Sequence, residues 1–171
     1  MKNFKRLKIS RIFVILTLLA IFILISAISY VDAVSNNISD SVFRLHVIAN
    51  SDSEEDQTLK LKVRDNLLEY MNTIAKDSTN KEEAMRIASE HKNEFIQIAE
   101  KTIRENGYEY TVNIQIGKAD FPTKYYGDIT LPAGEYDALK VEIGEAKGKN
   151  WWCVMFPPLC FVDVSTGVVP D

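Results

Sequence analysis

No acidic side chain occurs before Asp32, and no charge of either sign occurs between Ile12 and Val31. Five basic residues, Lys2, Lys5, Arg6, Lys8 and Arg11, come ahead of that uncharged run. Its twenty residues make a helix about 30 Å long at a rise of about 1.5 Å per residue, the thickness of a bilayer's hydrocarbon core. The lack of any charged face argues against a surface helix, and a core helix would need apolar partners on every side of a small protein. The basic flank predicts that residues 1–11 stay in the cytoplasm and that everything after Asp32 is exported. A basic start, an apolar stretch and small residues after it also describe a signal peptide, with Val31-Asp32-Ala33 and Ala27-Ile28-Ser29 as candidate cleavage regions. Retained anchor and cleaved leader therefore both stand. The organisation predicted is a basic run with transmembrane or signal helix over 1–33, a polar connector over 34–41 and an exported domain over 42–171.

Basic charge is scarce beyond the N-terminus. Of 20 basic residues only 15 lie beyond Arg11, against all 24 acids, a net charge of −9 for the exported part counted from Asp32. So negative a domain is a poor nucleic-acid binder and a poor fit to an anionic membrane surface. Cysteine is scarce too: Cys153 and Cys160 are the chain's two. Export makes a disulfide between them chemically permissible, and closing so short a loop stabilises by about 2–3 kcal/mol. Two buried thiols in an apolar run are the other reading. There is no internal repeat, no low-complexity block and no glycine loop of the phosphate-binding kind.

What is present reads as one α+β domain. Val42–Ala49 alternates as a strand, with Phe43, Leu45 and Val47 on one side and Arg44 and His46 on the other. Asn50-Ser51-Asp52-Ser53 breaks the strand and caps a helix whose first turn carries Glu54, Glu55 and Asp56. Leu59, Val63, Leu67, Met71 and Ile74 give that helix one apolar stripe. A second helix is predicted over 81–106, with His91 on its stripe and Gly107 closing it. Tyr108 to Ile116 alternates cleanly as a strand. FPTKYYGDITLPAGEY is turn-rich, a strand follows over Leu139–Ile143, and WWCVMF reads as a buried strand ended by Pro157-Pro158. PLCFVD then pairs again or packs as a loop. Two long helices packed on a mainly antiparallel sheet make a two-layer domain.

The chemistry-bearing residues do not assemble into a convincing catalytic set. His46, Asp52 and a distant cysteine would suit an exported Cys/His cell-wall hydrolase. Neither cysteine, however, sits at a helix N-terminus that would activate its thiolate. His46 and Arg44 are equally well read as lining the second face of a sheet. Two histidines and two cysteines show no paired metal-ligand spacing. No cofactor or metal is therefore predicted. Asn50 and Asp52 exceed what one helix cap needs, and Trp151 and Trp152, adjacent in a strand, must face opposite sides. An exposed tryptophan would be a binding anchor.

Two long stretches, HVIANSDSEEDQTLKLKVRDNLL (46–68) and LPAGEYDALKVEIGEAKGKNWWCVMFPPLCFVD (131–163), resemble the stage II sporulation protein R family of endospore-forming bacteria. With the anchor-like N-terminus the resemblance spans nearly the whole chain, although Lys140 and Glu142 to Ala146 keep the pattern only loosely. It implies a signalling protein made in the forespore and exported into the space between forespore and mother cell. There such a protein activates a membrane-embedded protease, which cleaves the precursor of sigma factor E. It implies no catalytic centre of its own. The partner expected is the extracytoplasmic part of that protease, and Arg44, His46, Asn50, Asp52, Trp151 and Trp152 are the candidate contacts. On that reading, charge reversal at Arg44 or Asp52 weakens signalling and leaves the fold intact. The other classes to separate from it are the Cys/His hydrolase and a membrane-tethered structural protein of the septum.

Overall fold

The computed structural model describes residues 2–126 and 129–158, with side chains described for 13–30, 38–126 and 129–158. The chain divides into two compact units, 1–37 and 38–171. The first belongs to helix α1, Lys2–Ser39. Phe13–Tyr30 is long and apolar enough to cross a membrane, and none of it is buried within the protein. The polar connector predicted from Val34 is helical as far as Ser39. No glycine or proline interrupts the segment, and extending a helix costs little once it has nucleated.

The second unit runs β1 (Phe43–Ile48), α2 (Glu54–Ile74), α3 (Lys81–Glu90), α4 (Lys92–Glu105), β2 (Val112–Phe121), β3 (Lys124–Tyr126), β4 (Ile129–Leu131), β5 (Gly134–Ile143) and β6 (Asn150–Phe156). β2, β5, β1 and β6 form a four-stranded sheet in that order, and β3 pairs with β4 in a separate two-stranded one. β1 is antiparallel to β6 and parallel to β5, which is antiparallel to β2, so the sheet is mixed but mainly antiparallel. The fold is α+β.

Strand alternation sorts the core. Phe43, Leu45 and Val47 of β1 join Leu139, Val141 and Ile143 of β5 under Leu59, Val63 and Leu67 of α2 and Phe95, Ala99 and Ile103 of α4. Each fully buried large apolar side chain contributes about 1.5–3 kcal/mol to holding helices on sheet. The helix predicted over 81–106 is broken at His91, which closes α3 and opens α4. Unbroken, 26 residues would run about 39 Å, whereas a ten-residue strand reaches about 34 Å. The break lets Ala84 and Ala88 as well as Phe95 and Ala99 reach one core. His91 itself is half-exposed rather than core, with Nδ1 3.0 Å from the Tyr70 hydroxyl.

The turn-rich stretch after β2 is the largest departure from expectation. It forms the β3–β4 pair, and Leu131 and Tyr126 join Val42, Phe121, Tyr136, Ala138 and Val154 in a second core on the far face of the sheet. Strand β2 begins at Val112 rather than Tyr108. The predicted PLCFVD return lies outside the described residues from Leu159 onward.

Candidate functional site

Two polar constructions stand out in the second unit. The first joins the β1–α2 loop to the β5–β6 loop. Ser53 is the N-cap of α2, its side chain accepting from the Asp56 amide. Asp56 is itself buried, and its carboxylate accepts from Asn50 Nδ2 at 2.8 Å and Ser51 Oγ at 2.5 Å. Burial pushes that carboxyl up, but hydrogen bonds from Ser51, Asn50 and Tyr110 outweigh it and hold the group below its ordinary value. Asn50 Oδ1 accepts from the Glu145 amide at 2.9 Å, and Asp52 Oδ1 accepts from the Lys149 amide at 2.7 Å. Lys147 and Gly148 donate their amides to the carbonyls of Asn50 and Ala49. Lys60 Nζ reaches in from α2 to the Lys149 carbonyl at 3.0 Å. Burial and the nearby Arg64 charge push the Lys60 amine down to about 8. A side chain on Gly148 would run into the Ser51 carbonyl, and one on Gly144, which has a φ of +58°, into Asn50.

This clasp accounts for the polar surplus of Asn50-Ser51-Asp52-Ser53. Asn50 and Asp52 pin one loop to the other across some 95 residues of sequence. Asp52 remains exposed while doing so.

The second construction lies on the far face of the sheet, where Arg44, His46 and Trp152 meet. Arg44 is 0% exposed. Its guanidinium carbon lies 4.0 Å from the centre of the Phe121 ring, 4.6 Å from Tyr136 and 6.0 Å from Tyr126. Nη2 donates to the Tyr126 hydroxyl at 2.9 Å, while Nε and Nη1 are buried without a hydrogen-bond partner. Burial lowers the guanidinium pKa, against the favourable field of the tyrosines. Among the described residues no carboxylate forms an ion pair with it. The expectation that Arg44 offers a charge on the surface is therefore corrected: Phe121 of β2, Tyr126 of β3 and Tyr136 of β5 enclose it, a cover that the turn-rich sequence did not disclose.

His46, 6% exposed, stacks on Trp152 with ring centres 3.7 Å apart, and its Nε2 lies 2.7 Å from Asn150 Oδ1. Burial pushes its pKa down to about 4, the Asn150 hydrogen bond opposing and the Lys140 charge assisting. It is a neutral ring at neutral pH. Trp151 faces the other way, packed against the helix-side core with the Arg64 guanidinium 4.1 Å above its ring. Cys153 also belongs to the helix-side core, whereas His46 stacks with Trp152 on the opposite face, so the Cys153–His46 arrangement of a hydrolase is not assembled. Cys153 is disulfide-bonded; Cys160 lies outside the described residues. The described residues hold no group of three metal-ligating side chains.

Sequence reasoning missed a third feature. Asp137 of β5, 8% exposed, takes Lys81 of α3 at 2.7 Å and Lys118 of β2 at 3.3 Å. Those two cations outweigh the effect of burial and hold its carboxyl below the ordinary value. Only the alternation of Asp137 with Tyr136 and Ala138 in a strand hinted at it.

The family model described as Stage II sporulation protein R (spore_II_R) matches residues 39–166. The chain belongs to the stage II sporulation protein R family. The Stage II sporulation protein R of Bacillus subtilis (strain 168) is 44% identical over 130 residues, which cover 76% of this chain and 58% of that protein. The chain thus spans less than two thirds of that relative's length. No solved structure matches the chain. The family match takes in the clasp, the Arg44–His46 face and all the strands, but not the apolar part of α1.

Proposed function

We propose that this member of the stage II sporulation protein R family is an exported signalling protein of endospore formation. Its second unit crosses to the space between forespore and mother cell and there activates a membrane-embedded protease, which cleaves the precursor of sigma factor E. The observation that carries the reading is the family match over residues 39–166. The apolar segment Phe13–Tyr30 supports export, by anchor or by cleaved leader. A ligand without chemistry of its own acts by binding the active arrangement of its receptor better than the inactive one. A tenfold bias needs about 1.4 kcal/mol of differential affinity, the scale of a few contacts.

Of the candidate contacts, Asp52 is exposed and Asn50, Trp151 and Trp152 are partly so, and Asn150, next to Trp151 in β6, is exposed as well. Arg44 and His46 act behind them. The test is co-expression in a non-sporulating host of the candidate protease and sigma precursor, with and without the full chain. Precursor cleavage that depends on the chain supports the reading; cleavage that ignores it, with the chain exported and folded, removes it.

A further inference from the structure

A fully buried guanidinium is costly, and a protein normally offsets the cost with a carboxylate and hydrogen bonds to every N–H. Arg44 departs from that pattern. Among the described residues its Nη2 has only a neutral phenol as partner, and Nε and Nη1 are orphaned in the second core. The Phe121 and Tyr136 rings lie close to the cation, at 4.0 and 4.6 Å from the guanidinium carbon, but a ring face accepts no conventional hydrogen bond. Nε–H and Nη2 lie along one edge of the planar group, the edge that takes a carboxylate side-on. Of that edge's two donors, Nη2 has the Tyr126 hydroxyl and Nε has no partner. The hydroxyl also donates weakly to the Trp152 carbonyl, at 3.4 Å. Tyr126 belongs to β3, whose sheet shares no backbone pairing with the four-stranded sheet.

We propose that Arg44 is the anchor of an anion site on the far face of the sheet, where a carboxylate displaces the Tyr126 hydroxyl and takes the Nε and Nη2 hydrogens together. The phenol is a neutral stand-in for the natural ligand. When its side chain turns outward, a carboxylate that takes the phenol's place meets a dry, positively charged fork. Charge-assisted bonds there are short and strong, and the aromatic walls keep water out. His46 and Trp152 pack beside Phe121, the three rings in mutual contact. The site is independent of the protease reading and stands or falls without it.

The test is a thermal unfolding titration of the full chain in detergent micelles. The probes are N-acetyl-aspartate amide and sodium acetate, with N-acetyl-asparagine amide and sodium chloride at equal ionic strength as controls. The carboxylates are expected to raise the midpoint saturably, and the controls not to. Arg44→Met, apolar and of similar length, should fold and lose the response entirely. Tyr126→Phe removes the competing acceptor and should move half-saturation at least threefold lower. Equal responses to acetate and the aspartyl amide assign the site to small carboxylic acids; a response to the aspartyl amide alone assigns it to a side chain on a protein. No carboxylate-specific response in the native chain overturns the proposal, as does a response that persists in Arg44→Met. If Arg44→Met does not fold, Tyr126→Phe decides: unchanged half-saturation overturns the proposal.

Discussion

Burial keeps the His46 ring neutral until the pH falls to about 4, while in the unfolded chain the same ring takes its proton near pH ~6.5. The unfolded state therefore binds the proton first, and stability is complete above about pH 6.5 and declines as pH drops toward about 4. The loss is at most about 3 kcal/mol. His46→Gln, which still reaches Asn150, should flatten that part of the curve; denaturant midpoints at pH 4.5 and 7.5 check it, and an unchanged pH dependence contradicts the burial account. Lys140, Glu142 and Arg44 face the ring and set its field. Arg44→Glu should cost several kcal/mol, because it leaves a carboxylate among Phe121, Tyr126 and Tyr136 without a cation. Loss of cooperative unfolding is the expected readout. Alternation in β1 was enough to place Arg44 and His46 together on the face opposite Phe43. It did not reveal their burial, because the cover includes Phe121, Tyr126 and Tyr136, which lie in a stretch whose glycines, prolines and mixed polarity read as loop.

Among elements, the paired loops of the clasp decide how β1, α2 and the β5–β6 connection stay in register. Gly148→Ala should destabilise by about 1–3 kcal/mol, the usual cost of forcing atoms into a packed site. Here the obstacle is the Ser51 backbone, which cannot rotate away. Asp52→Ala removes one hydrogen bond to the Lys149 amide and should cost nearer 1 kcal/mol. Thermal midpoints of the two variants test this order, and a Gly148→Ala protein as stable as the native one contradicts it. On the helix side, Asp137→Ala should cost about 3–5 kcal/mol by leaving Lys81 buried without its partner. The cap at Ser53 and the apolar stripe of α2 were legible in sequence, since both depend on neighbours in the chain. The clasp and the Lys81–Asp137–Lys118 cluster were not, because each joins residues tens of positions apart and no local period marks them.

For the molecule as a whole, an apolar helix precedes a family domain, and the residues from Asp32 onward carry a net charge of −9. The sequence motifs identified the family because they are long, and the structure brings parts of the two together: His46–Ile48 pair with Lys140–Glu142, and Asn50 and Asp52 bond Glu145 and Lys149 in the clasp. The central claim is that the domain acts as a ligand and not as an enzyme. A ligand must remain bound to sustain its effect, and its effect saturates when receptor sites are filled. A hydrolase leaves its product changed after it has gone. The most direct measurement reconstitutes the candidate protease and sigma precursor in vesicles, adds the full chain over a range of molar ratios, and then withdraws it by affinity capture. The account predicts that cleavage rises to a plateau near equimolar chain and stops on withdrawal. Full cleavage at a small fraction of equimolar, persisting after the chain is removed, would contradict it.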